Sequence, residues 1–183
     1  MSKLIDWHKK NIEWWKKKLN VSNYGIAWIA FIKGLIIGLL IYHFFIYTET
    51  HAQVLKIIDG DTIVINGEKI RFSGIDTPEL QQTCIKDKKK VFCGMFAKML
   101  LIKKIGNKTP KCISEGKDIY NRILAECFIN GESLSSFLVR SGYAFAYRKY
   151  SKKFIKDEEF AKKNKLGMWS MEFEYPWDFR KTQ

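Results

Sequence analysis

Between Asp59 and Glu79 the chain carries Asp59-Gly60-Asp61-Thr62, then Arg71, then Asp76-Thr77-Pro78-Glu79. Two carboxylates brought to about 4 Å repel by roughly 4 kcal/mol at an effective dielectric near 20, so converging acids need a cation or a shared proton. A hard divalent ion with oxygen ligands meets that need, and Ca²⁺ is the natural choice outside the cell. Asp61 and Asp76 are the candidate ligands, Glu79 the candidate base, and Arg71 a guanidinium that can face a phosphate. Metal, base and guanidinium together suit hydrolysis of a phosphodiester.

Those groups must be carried to one place by the chain between them. Ile63-Val64-Ile65 and Ile70-Arg71-Phe72 read as short strands, and Asn66-Gly67 between them is a strong hairpin signal. The fold-back sets Asp61, near the start of the first strand, beside Asp76, near the end of the second. Pro78 keeps the chain extended and leaves Glu79 close by. Taken singly, Asp-Gly-Asp-Thr is an ordinary turn and Asp-Thr-Pro-Glu an ordinary helix start. Their coincidence, with Arg71 between and Arg122 downstream, favours a site.

Asp-Gly-Asp-Thr, Arg-x-x-x-Ile-Asp-Thr-Pro-Glu and the later Tyr120-x-Arg122 follow one another in the order seen in staphylococcal-type thermonucleases. The segment from about Ala52 to Arg180 resembles that family. The resemblance implies an α+β fold: a five-stranded Greek-key barrel of the oligonucleotide-binding type with three packed helices. It also implies Ca²⁺-dependent endonucleolytic hydrolysis of DNA and RNA, single strands favoured, leaving 3′-phosphate ends. Asp61, Asp76 and the Thr77 carbonyl would hold the metal, Glu79 would orient or deprotonate water, and Arg71 and Arg122 would neutralise transition-state charge. Tyr120, Tyr147 and Tyr150 would bind substrate, although Tyr147 and Tyr150 could equally pack into a core. Ile119 stands where the family has a basic residue and Asn121 where it has glycine; Asn tolerates left-handed backbone best among the others. The alternative is a membrane-tethered, non-catalytic barrel that binds nucleic acid, and retention of every acidic and arginine position argues against it.

The chain has 183 residues, a net charge of +13 and 46% apolar content, enough for one compact domain with appendages. From Ala52 onward the excess of Lys and Arg over Asp and Glu is still +9. That balance suits a polyanionic partner. Cys84, Cys93, Cys112 and Cys127 all lie in this part. Pairing of Cys84 with Cys93 and of Cys112 with Cys127 is favoured, since each pair brackets a short loop or hairpin; free thiols or a zinc site fit the spacing less well. Disulfides imply an oxidising compartment.

Residues 1–23 read as an amphipathic helix with Trp7, Trp14 and Trp15 opposite a lysine-rich face, suited to an anionic membrane surface. Residues 24–47 contain Lys33 as their one charged side chain and reach roughly 36 Å as a helix, enough to span a bilayer. Six lysines precede this span, which places the N-terminus in the cytoplasm and the domain outside. A retained anchor is favoured; cleavage after Thr50-His51-Ala52 would instead secrete the domain.

Further along, Val54–Ile58 is expected as the first strand and Lys86–Lys90 as a solvated loop that could touch a nucleic-acid backbone. A helix is expected from Cys93 to Gly106, a hairpin over 108–129 with its tip near Gly116, and helices at 133–141 and 156–165. The segment 171–183 should wrap the domain.

Overall fold

The computed structural model describes residues 2–47 and 54–183; the Ala52 cleavage position and the expected domain start at Ala52 lie outside them. The chain divides into two compact units, Met1–Ala52 and Gln53–Gln183. In the first, α1 (Ser2–Leu19) carries Trp7, Trp14 and Trp15 exposed. Ser22 caps α2 (Asn23–Ile41), accepting from the Gly25 N–H at 3.2 Å, and a π-helical segment, Tyr42–Tyr47, continues it. Asn23–Phe45, with a mean hydropathy of 2.1, is long and apolar enough to cross a membrane.

The second unit is α+β. Its main sheet runs β1 (Leu55–Ile57), β2 (Thr62–Ile65), β3 (Glu68–Phe72), β8 (Ile123–Ile129), β7 (Lys111–Lys117), with β9 (Glu132–Ser133) also paired to β8. Two small sheets stand apart: β4 (Ile75–Asp76) with β10 (Phe145–Ala146), and β5 (Thr83–Lys86) with β6 (Lys89–Phe92). The main sheet thus has six strands rather than the five expected, the sixth being the two-residue β9. The helices α3 (Cys93–Ile105), α4 (Leu134–Arg140) and α5 (Ile155–Lys163) are followed by the short α6 (Pro176–Phe179).

Asn66 and Gly67 both take positive φ, 53° and 86°, the geometry of a tight hairpin turn, and set Thr62 opposite Arg71. The segment Lys86–Lys90, expected as a loop, is instead the turn of the β5–β6 hairpin. Asp87 and Lys88 supply the positive φ that an Asn-Gly pair would normally signal, so the turn left no local mark. β3 runs parallel to β8, with Arg71 beside Leu124, and this non-local pairing carries the 118–122 turn to the edge of the first hairpin.

Ile63, Phe72, Ile75, Leu101, Ile105, Leu134 and Leu138 form the centre of the larger core; Phe145, Met168 and the Cys84–Cys93 bridge form a smaller one. Among the described residues every core side chain belongs to Leu55 or later, so this unit carries a core of its own. The second disulfide joins Cys112 to Cys127, directly opposite each other on β7 and β8.

Candidate active site

Asp61 enters β2 almost fully buried, and three donors converge on its carboxylate. Arg71 Nη1 (2.7 Å) and Thr62 Oγ1 (3.0 Å) donate to Oδ1, and the Thr77 N–H (3.1 Å) donates to Oδ2. Burial, reinforced by Asp59 and Asp76 and opposed by Arg71 and Thr62, pushes the Asp61 carboxyl up to about 7. Asp76, wholly buried on β4, accepts from Arg71 Nη2 at 2.8 Å. The two acids therefore meet through the Arg71 fork, which the sequence had placed on the substrate side. Burial works against the Arg71 charge, but Asp61 and Asp76 outweigh it and raise its pKa.

A second guanidinium enters from the far end of the domain. Arg180, just after α6, donates from Nη2 to Asp76 Oδ2 at 2.6 Å and from Nη1 to Glu79 Oε1 at 2.9 Å. The pairing raises its pKa although burial opposes it. The segment before it is tied to the same loop. Gln82, fully buried, accepts from the Glu79 N–H at 3.2 Å and donates to the Glu174 carbonyl at 2.7 Å. Ile85 of β5 bridges Glu172. Gly94 lets the first turn of α3 abut this loop, since a Cβ there would fall 1.8 Å from the Glu79 carbonyl oxygen.

The remaining arginine is held differently. Arg122 Nε donates to Asp118 Oδ2 at 2.7 Å, while the Tyr120 and Arg122 N–H groups both donate to Oδ1 at 2.9 Å. Desolvation raises the Asp118 carboxyl, but these bonds and the charge of Arg122 together outweigh it and hold the group below its usual range. Asn121 takes a φ of 61°, the left-handed geometry expected of it in place of glycine. Ile119 and Tyr120 are 91% and 73% exposed.

One cleft of about 750 Å³ is lined by Asp61, Arg71, Asp76, Thr77, Glu79, Tyr120, Arg122, Tyr147 and Tyr150. All nine expected side chains are thus brought together. Asp59, Asp118 and Arg180 line it as well and were missed as site residues. Tyr147 stacks on Trp177 at 5.9 Å between ring centres, and Tyr150 meets it edge-on at 4.9 Å with its own ring exposed.

Among the described residues no three His, Cys, Asp or Glu side chains cluster tightly enough to hold a metal on their own. The buried carboxylates at this end of the cleft are those of Asp61 and Asp76, and both accept from Arg71. Asp59, Asp61, Asp76 and Glu79 outnumber Arg71 and Arg180 beside them. That leaves net negative charge, part of it in buried acids, which fits a hard cation completed by water.

Buried acids, an exposed-edge carboxylate and several guanidinium groups in one cleft of an α+β domain define a phosphodiester-cleaving class of enzyme. The sequence profile of the family described as staphylococcal nuclease homologue matches residues 69–171. An uncharacterised protein of Methanocaldococcus jannaschii is 35% identical over 159 residues, covering 70% of this chain and 77% of that one. An uncharacterised endonuclease of Haemophilus influenzae is 28% identical, with 65% and 66% covered. The staphylococcal-like nuclease CAN1 of Arabidopsis thaliana is 30% identical, with 75% of this chain but 43% of that one covered. The chain belongs to the staphylococcal nuclease family and is a thermonuclease-like nuclease.

Proposed function

We propose that the domain is a Ca²⁺-dependent endonuclease that hydrolyses DNA and RNA, single strands favoured, and leaves 3′-phosphate ends. The observation that carries this reading is the position of Glu79 in one cleft with Arg71, Arg122 and the buried Asp61–Asp76 pair. Asp61, Asp76 and the Thr77 carbonyl would hold the cation. When bound, it supplies Lewis-acid polarisation of the scissile phosphate and relieves the repulsion between the acids.

Glu79 orients water and accepts its proton through Oε2, the oxygen that Arg180 does not hold. Attack at phosphorus breaks the bond to the 5′ oxygen, and the departing 5′-hydroxyl takes up a proton while phosphate stays on the 3′ side. Arg71 and Arg122 neutralise charge that grows on the phosphoryl oxygens, each such donor contributing about 3 kcal/mol. Tyr120, Tyr147 and Tyr150 offer ring faces to unstacked bases, which favours single strands. The sheet path β1-β2-β3-β8-β7 supports an oligonucleotide-binding barrel of five strands, with the two-residue β9 pairing antiparallel to β8 off that path.

Asn23–Phe45 serves as a retained anchor, with the lysine-rich α1 cytoplasmic and the nuclease domain outside, where Ca²⁺ is plentiful and disulfides persist. Digestion of single-stranded DNA by residues 53–183, with Ca²⁺ or with chelator, tests the enzyme. Cleavage should need Ca²⁺ and fall at least about a hundredfold in Glu79→Gln. Tight binding without cleavage would leave only a tethered binding barrel.

A further inference from the structure

Helix α3 is apolar on both sides. Cys93, Gly94, Ala97, Leu101 and Ile105 are buried in the domain. Around the opposite arc, Met95, Phe96, Met99 and Ile102 recur at helical spacing, and Phe92 precedes them by three residues. These five side chains are between 40% and 60% exposed. A merely solvated face would carry polar groups here, and a contiguous apolar strip on a small domain marks a contact surface.

Charge around the strip is predominantly positive, with Glu132 paired to Lys104 from a neighbouring strand. Cys93–Ile105 contains Lys98, Lys103 and Lys104 and no acid, and the β5–β6 turn leading into it adds Lys88, Lys89 and Lys90 with Asp87 as its acid. Large flexible apolar side chains rimmed by lysines are the composition of helices that lie in the headgroup layer of an anionic bilayer. Nucleic acid fits less well, because Met and Ile offer no flat face for a base. The chain itself keeps a bilayer within reach: seven residues separate Tyr47 from Leu55, a span of at most roughly 25–30 Å.

We propose that the exposed face of α3 (Phe92, Met95, Phe96, Met99 and Ile102) is a lipid-docking surface on which the nuclease domain lies against the membrane that anchors it. The proposal rests on the reading of Asn23–Phe45 as an anchor. Because the first turn of α3 abuts the Glu79 backbone, a seated helix holds the catalytic loop at the bilayer surface. The domain then processes nucleic acid as it arrives along the membrane.

The test is flotation of residues 53–183 with phosphatidylglycerol vesicles, beside vesicles of phosphatidylcholine alone. The domain should float with the anionic vesicles and more weakly with the neutral ones. Met95→Ser combined with Met99→Ser should weaken flotation about tenfold, with oligonucleotide cleavage in solution unchanged. Ile102→Glu, at a half-exposed position, should do the same and guards against a folding defect in the double variant. Failure to float, or flotation indifferent to both variants, overturns the proposal. So does sedimentation equilibrium showing a dimer that Ile102→Glu dissociates, since the face would then belong to a second copy. Alkaline washing of membranes bearing the full chain separates the two ideas: release of the chain sinks the anchor, whatever the vesicles report.

Discussion

Arg71 and Arg122 face the same cleft, yet their surroundings differ in kind. Arg71 sits within the sheet, forked between two buried carboxylates, and could not leave without stranding both. Arg122 sits on a turn whose neighbours Ile119 and Tyr120 are mostly exposed, and its partner is Asp118, four residues away. One arginine is built into the architecture. The other is stored on a local carboxylate and is free to exchange it for a phosphate. The similar roles proposed for them in catalysis therefore go with different roles in stability.

Alanine substitution separates them most sharply. Arg71→Ala should cost about 10²–10³ in kcat and also roughly 3–5 kcal/mol in denaturant unfolding, because Asp61 and Asp76 lose their shared cation. Arg122→Ala should cost a similar factor in kcat but stay within about 1 kcal/mol of wild-type stability. Equal stability losses would erase the distinction.

The sheet side of the site should also show a pH signature. Folded Asp61 keeps its proton to about 7, whereas an unfolded chain releases it near 3.8. The fold holds the extra proton between those values, so this carboxyl makes stability fall as pH rises through the window. In chelator, the melting temperature of the domain should drop by roughly 5–10 °C from about pH 5 to pH 7.5 relative to Asp61→Asn. Saturating Ca²⁺ should abolish the drop.

Arg180 belongs to the sheet side by its contacts, although it arrives from far along the chain. It holds Glu79 in place and occupies Asp76, so it would compete with the cation proposed there. Arg180→Ala should lower kcat about tenfold while calorimetry shows tighter Ca²⁺ binding, two changes that a general loosening of the fold would not produce together. The smallest effect is expected on the turn side. Asp118→Asn keeps an oxygen for the two backbone N–H groups but removes the charge stored against Arg122, so KM for oligonucleotide should fall about threefold with kcat unchanged.

What the sequence made legible follows the same division. Asp61, Arg71, Asp76 and Glu79 are placed by one hairpin, whose Asn66-Gly67 turn is written locally. All nine expected residues line one cleft, but Arg122, Tyr120, Tyr147 and Tyr150 were legible only through the family resemblance, since no local signal brings them to that hairpin. Arg180 left no such mark: it lies 104 residues beyond Asp76, and its position depends on Gln82, Glu172 and Glu174 holding the intervening strap. The Lys86–Lys90 hairpin was hidden because Asp87 and Lys88 are unusual occupants of its turn. The parallel β3–β8 contact, likewise non-local, cannot be read from either strand alone.

The long separation between Arg180 and its partners has a consequence in time. A polypeptide that emerges N-terminus first presents Asp61, Arg71, Asp76 and Glu79 about a hundred residues ahead of the guanidinium that steadies Glu79. The acid cluster must wait, under-compensated, while the helices and the second disulfide hairpin are made. Assembly of the cleft is therefore a late event in the life of each molecule, and a chain still being synthesised has not yet acquired its finished site.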